Sequence, residues 1–145
     1  KENLEQCHQI ARWAKEQGLA YKELYWTGWE IPSLNEHLNG FFHISVPEWL
    51  NAIRNAEYVL TNSFHCAVFA ILFRKKFMVL NNPSGGLDRI LTLLGLLRLK
   101  QRYLSDLIQS DRLLERLENP IDYERVQKDL EACRKDSLAF LVNIR

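Results

Sequence analysis

The chain has 145 residues, the length of one domain, and its 47% hydrophobic and 26% charged residues are the balance of a globular protein with a buried core. A formal net charge of +1 excludes a protein that binds nucleic acid through its overall charge, and no apolar run reaches the roughly 18 residues of a membrane helix. The three cysteines are far apart, form no CxxC pair and favour a reducing compartment.

The first predicted element is a helix over residues 3–17, which has apolar residues at helical spacing and Gly18 at the position that commonly ends a helix. Alternating side chains then predict a strand over 19–25. Residues 26–40 are rich in Gly, Pro, Ser and Asn and predict a loop with room for one helical turn, followed by a short strand over 41–44.

A capping box predicts where the next helix begins. The Ser45 hydroxyl can accept a hydrogen bond from the amide of Glu48, whose carboxylate can accept one from the amide of Ser45, and Pro47 fits a first turn. The predicted helix runs to about Asn55 and buries three apolar side chains, Trp49, Leu50 and Ile53.

Two strands and an apolar helix form the centre of the chain. Residues 57–61 predict a strand, and Asn62-Ser63 predicts a turn with a good N-cap. The following helix, 64–73, is apolar on nearly every side except at His65, which predicts that it is buried. The next strand is predicted at 76–80.

The last third of the chain is predicted to be mostly helical. A loop over 81–86 precedes an amphipathic helix that runs through Ile90 and Leu97, and a further helix is expected near 111–118. After the break at Asn119-Pro120, Asp122 is predicted to cap a final helix. Its apolar stripe comprises Val126, Leu130, Cys133, Leu138 and Leu141.

The alternation of strands and helices with short connections predicts an α/β fold with an open parallel sheet and helices on both faces. Such sheets bind ligands beyond the carboxyl ends of their strands. The helix predicted near Lys1 lacks a preceding strand and the chain has no initiator Met, so we expect it to be a piece of a longer protein.

The first candidate site is the turn at Asn62-Ser63 and the helix after it. Free amides and the positive end of the helix dipole favour an anion there. His65 can donate to a phosphate or give up a proton near neutral pH, but a histidine that bonds a loop carbonyl in the core is an open alternative. Nucleophilic catalysis is disfavoured, because Cys66 and His65 are neighbours that point apart on a helix.

The second candidate site is the loop that contains Gly85, Gly86 and Arg89. Two glycines between a strand and a helix allow the backbone to approach a ligand, and an arginine in the first helical turn can clamp a carboxylate or phosphate. The alternative is a plain loop with Arg89 on the surface. The loop matches neither a Walker nor a dinucleotide-binding motif, and we expect no metal site.

Basic residues are concentrated between Arg74 and Arg102, where seven of them stand against the single acidic residue Asp88. Such a local excess can attract a small anion. Equally open is a solvated basic face that balances an acidic region of a partner domain. The seven are Arg74, Lys75, Lys76, Arg89, Arg98, Lys100 and Arg102.

Several segments together resemble the C-terminal half of the polysaccharide pyruvyl transferase family. The resemblance is dense from about 41 to 102. The segments are Ser45–Leu50 (SVPEWL), Ala56–His65 (AEYVLTNSFH), Ala67–Phe73 (AVFAILF), Lys76-Phe77, Arg89-Ile90, Leu93-Leu94 and Arg102.

The resemblance implies an enzyme that moves the enolpyruvyl unit of phosphoenolpyruvate onto a sugar hydroxyl as a pyruvate ketal, in bacterial exopolysaccharide synthesis and with no further cofactor. It implies that His65 is the proton donor or a phosphate ligand, and that Asn62, Ser63, Gly85, Gly86 and Arg89 bind substrate. Two positions depart from the family pattern: Cys66 replaces a usual Gly, and Ser63 replaces an Arg of some branches.

The same resemblance implies that residues 1–145 are one Rossmann-like C-terminal domain of a two-domain GT-B enzyme, with 120–145 packed on the sheet as a helix. The expected partners are phosphoenolpyruvate, a sugar or polysaccharide-precursor acceptor and the protein's own N-terminal domain. The expected location is the cytoplasm, with peripheral association at the inner membrane face as an option. Two alternatives stay open: the donor domain of a nucleotide-sugar glycosyltransferase, and a non-catalytic Rossmann-like interaction module.

Overall fold

A computed structural model describes residues 2–24, 40–41, 44–81, 85–105 and 110–142. Within these ranges the chain forms six α-helices and five short β-strands, with a 3₁₀ turn at Lys100–Arg102. In chain order they are α1 (Glu2–Glu16), β1 (Glu23–Leu24), β2 (Gly40–Phe41), α2 (Val46–Asn55), β3 (Tyr58–Thr61), α3 (Phe64–Leu72), β4 (Lys76–Leu80), α4 (Leu87–Leu96), β5 (Tyr103–Leu104), α5 (Ser110–Glu118) and α6 (Tyr123–Val142).

Most predicted elements are confirmed, and the capping box of α2 is present in both directions between Ser45 and Glu48. Gly18 ends α1 with φ +68°, as the sequence predicts. The predicted strand over 19–25 is reduced to Glu23–Leu24 within the described residues, and most of the predicted 26–40 loop lies outside them.

The central sheet has the order β3-β4-β5, and both pairs are parallel. Val59 lies opposite Phe77 across the first pair, and Val79 lies opposite Tyr103 across the second. β1 and β2 form a separate parallel pair. Because α3 connects β3 to β4 and α4 connects β4 towards β5, each helix begins near the carboxyl end of the preceding strand.

Helices cover both faces of the central sheet, which confirms the predicted α/β fold with a parallel sheet flanked by helices. On β4, alternate side chains point to opposite faces: Phe77 and Val79 join a core with α2, α3, α4 and the start of α6, whereas Met78 and Leu80 join a core with α1 and α5. This two-sided burial explains why residues 77–80 read as a continuous apolar run.

The first half of α6 packs against the core near the C-terminal ends of α3 and α4. Val126 is buried, the Tyr123 hydroxyl donates to the carbonyl of Lys75, and Arg74 forms an ion pair with Glu124 at 2.8 Å. The N-terminal ends of α3 and α4 are therefore left to face the opposite side of the domain.

The predicted apolar stripe of α6 is not buried along the second half of the helix. Leu138 and Leu141 are 51% and 64% exposed, so the prediction that they pack on the sheet is wrong. The helix continues past the domain core, which a helical period in the sequence cannot reveal. No helix within the described ranges combines the length and the apolar character needed to cross a membrane.

Candidate functional site

A pocket of about 250 Å³ lies beyond the carboxyl ends of β3 and β4. It brings together all six residues that the sequence singled out, from two separate segments of the chain, 62–65 and 85–89. Phe64 and Ile90 also line it. The predicted members are Asn62, Ser63, His65, Gly85, Gly86 and Arg89.

The first wall of the pocket is the start of α3, where two hydroxyls shape the turn. The Thr61 hydroxyl accepts a hydrogen bond from the amide of Ser63 at 3.0 Å, and the Ser63 hydroxyl accepts one from the amide of Cys66 at 3.5 Å. The amides of Phe64 and His65 have no hydrogen-bond partner among the described residues. These two donors and the helix dipole make this wall favourable to an anion.

The second wall is the loop that leads into α4. Gly85 and Gly86 have φ of +101° and +83°, which is left-handed backbone that favours glycine. Gly86 is the N-cap of α4, and α4 has no side-chain cap among the described residues. The pocket therefore lies at the N-terminal ends of two helices.

Arg89 supplies the guanidinium at the pocket and is the one arginine among the described residues that line it. Its Cζ atom lies 5.4 Å from the centre of the Phe64 ring, and it forms no ion pair with any described residue. A Cβ atom at Gly86 would come within 3.5 Å of Arg89 Nη2, so the guanidinium lies beside the backbone of the second wall.

Sequence reasoning missed two pocket residues, Ile90 and Phe64, and of these Phe64 is the one that contacts a predicted site residue. Its ring contacts the His65 imidazole edge-to-face, with ring centres 5.7 Å apart. In the sequence it counted only as one of the apolar residues of the helix over 64–73. The available signal was its position in the first turn of that helix, directly before His65 and directly after the N-cap Ser63.

Cys66 is not among the residues that line the pocket. Burial raises the pKa of its thiol, and a hydrogen bond with the Thr61 side chain acts in the opposite direction to a smaller extent. The thiolate is the nucleophilic form of cysteine, so the raised pKa disfavours Cys66 as a nucleophile at neutral pH. No group of three or more His, Cys, Asp or Glu in the described part of the chain is placed to hold a metal ion.

The seven basic residues between Arg74 and Arg102 lie in different parts of the structure, and whether their charge attracts an anion stays a prediction. Of these seven residues, Arg89 alone lines the pocket. Arg102 is 1% exposed and donates to backbone carbonyls. The others that form ion pairs do so with this chain's own C-terminal helices: Arg74 with Glu124, Lys76 with Glu118 and Arg98 with Asp129.

A comparison with protein-family models shows which family the chain belongs to. The model described as polysaccharide pyruvyl transferase matches residues 10–84, just over half of the 145 residues. The chain belongs to this family. Its members are transferases that act on polysaccharides. The match includes Asn62, Ser63 and His65 but ends before Gly85, and no curated protein or solved structure matches the chain at a significant level.

Proposed function

We propose that the pocket is the donor site of a pyruvyl transferase and binds phosphoenolpyruvate. The observation that carries this proposal is the convergence of two helix N-termini and the Arg89 guanidinium on one pocket that also presents His65. Phosphoenolpyruvate carries a carboxylate and a phosphate, and both groups need N–H donors and positive charge. The family membership supports the same donor chemistry.

In the proposed reaction, a proton is added to the methylene carbon of phosphoenolpyruvate and leaves an oxocarbenium-like centre at the adjacent carbon. A sugar hydroxyl attacks this centre, forms a new C–O bond and releases its proton. The bond to the phosphate oxygen then breaks, and inorganic phosphate leaves. A second hydroxyl of the same sugar attacks the carbon that the phosphate has left, releases its proton and closes the cyclic pyruvate ketal. The reaction needs an acid and anion-binding groups but no further cofactor.

His65 is our candidate for the acid, because its exposed side chain lies at the pocket on the first turn of α3. An imidazole can donate a proton to one group and accept another from the attacking hydroxyl. The Arg89 guanidinium and the amides of the first turn of α3 would hold the anionic groups. Gly85 and Gly86 would let the loop backbone approach the ligand.

We also propose that this domain is the Rossmann-like C-terminal half of a two-domain GT-B enzyme, in which another domain supplies the acceptor site. The parallel sheet with helices on both faces and a ligand pocket at its carboxyl edge supports this arrangement. The 145-residue chain should then bind phosphoenolpyruvate but turn over nothing. The full-length protein should release phosphate only when a sugar acceptor is present.

The experiment is phosphate release from phosphoenolpyruvate by full-length protein across a panel of sugar acceptors. We expect His65→Ala to lower kcat by about 10²–10⁴-fold. His65→Gln separates the two roles, since glutamine can bind a phosphate but cannot donate a proton to carbon. A loss equal to that of alanine supports the acid, and His8→Gln on α1 is the matched control. Normal turnover by His65→Ala would overturn the assignment.

A further inference from the structure

Along the pocket, Phe64 contacts one side chain of its own helix and one of a second helix. The Arg89 guanidinium lies over the Phe64 ring, with Cζ 5.4 Å from the ring centre. The His65 imidazole contacts the same ring at 5.7 Å between ring centres and 78° between planes. The contact between Phe64 and Arg89 is a direct link between the two walls of the pocket. It joins the first turn of α3 to the first turn of α4.

Building on the proposed function, we propose that Phe64 is a positioning residue: its ring holds the Arg89 guanidinium at the pocket through a cation–π contact and thereby sets the affinity for an anionic substrate. The ring is partly buried and packs against the core that contains Ala67 and Ile90, so it can support the Arg89 side chain, which is otherwise exposed.

Arg89 needs such support, because no ion pair or hydrogen bond to a described residue fixes its guanidinium. A free arginine side chain loses much rotamer entropy when it binds a ligand, and a side chain that is already held loses less. Contact with an aromatic face also leaves the in-plane N–H donors of a guanidinium available for a carboxylate or phosphate. The ring therefore orders Arg89 without occupying its donors.

The test is a titration of the 145-residue chain with phosphoenolpyruvate, and separately with inorganic phosphate, by isothermal calorimetry. Phe64→Leu removes the ring but keeps an apolar side chain, and we expect binding to weaken about two- to fivefold. Phe64→Tyr keeps the ring and should restore wild-type affinity. Phe69→Leu is the matched control, since Phe69 is on the same helix but packs against Trp49 instead of lining the pocket.

A double-mutant cycle then asks whether Phe64 acts through Arg89. In an Arg89→Ala background, Phe64→Leu should weaken binding no further. An equal loss in both backgrounds, an equal loss from Phe69→Leu, or wild-type affinity of Phe64→Leu would each overturn the inference.

An NMR signature tests the contact without a ligand. The side-chain protons of Arg89 should show an upfield ring-current shift in the wild type and in Phe64→Tyr, and the shift should vanish in Phe64→Leu. Random-coil shifts in the wild type would overturn the inference even if Phe64→Leu failed to fold. If the wild type binds neither anion, the proposed function fails by itself, and the ring-current shift still decides for or against the contact.

Discussion

Arg102 and Arg89 belong to the same basic segment, but Arg102 has a structural role whereas Arg89 lines the pocket. Replacing Arg102 by methionine tests this difference. The Arg102 side chain is 1% exposed and donates to the carbonyls of Arg116 and Asn119, where α5 ends. Arg116 in turn donates to the carbonyls of Gln101 and Tyr103 at 3.0 Å each. The two arginines therefore tie α5 to the segment that leads into β5.

The size of the effect follows from these contacts. Hydrogen bonds from a charged donor contribute about 1.5–3 kcal/mol each, so two of them contribute about 3–6 kcal/mol. Burying the charged guanidinium costs free energy, and the same burial lowers the pKa of Arg102. Removing the guanidinium therefore recovers part of this cost. Methionine fills most of the space, so we expect a net loss of about 2–4 kcal/mol in the free energy of unfolding.

Urea denaturation and phosphoenolpyruvate titration of the same variants provide the assay. We expect Arg102→Met to lose stability and keep its affinity, and Arg89→Met to lose affinity and keep its stability. Lys100→Met removes one charge from the same segment at an exposed position, and its stability should stay within about 0.5 kcal/mol of wild type. The reasoning is refuted if Arg102→Met is as stable as Lys100→Met, or if it weakens binding as much as Arg89→Met.

Three further predictions concern the scaffold. Arg98 has φ +54°, so Arg98→Gly should raise the free energy of unfolding by about 1 kcal/mol in urea melts, and a decrease would contradict this. Hydrogen bonds from Ser45 lower the pKa of Glu48, so the ionised carboxylate stabilises the folded state. Wild type should therefore be more stable than Glu48→Gln at pH 7, and this advantage should disappear as the pH falls below about 4. A difference in stability that does not depend on pH would contradict this prediction. Leu141→Ser should leave the melting temperature unchanged, whereas Leu94→Ala at a fully buried site should lower the free energy of unfolding by about 2–5 kcal/mol. Equal melting temperatures of the two variants would contradict this difference in burial.

The pocket could be predicted because its residues carry local signals at the ends of strands. Ser63 has the chemistry of an N-cap and follows a β-rich run, and Gly85 and Gly86 stand between a strand and an amphipathic helix. The rule that parallel strands direct their loops to one edge then brings both signals together. The roles of these residues in substrate binding and catalysis stay predictions.

Features that depend on distant contacts could not be predicted. β5 has only two residues, Tyr103–Leu104, and is a strand because it pairs with β4. In the sequence, Arg102 is one charge of a basic segment, and its burial depends on carbonyl groups at the end of α5 that only the fold brings close. The positions where α3 and α4 end were predicted closely, but the left-handed conformation of Arg74 and Arg98 after them was not, because neither is the glycine that favours it.

The most direct test of the central claim is a titration of the ¹⁵N-labelled 145-residue chain with phosphoenolpyruvate, with sodium chloride at matched ionic strength as the control. We expect saturable shifts at the amides of Phe64, His65 and Gly86 and at the Arg89 Nε–H group, and none of these with chloride. Absence of these shifts, or shifts confined to the opposite end of α3 and α4 around Arg74 and Arg98, would contradict the assignment of this pocket as the donor site.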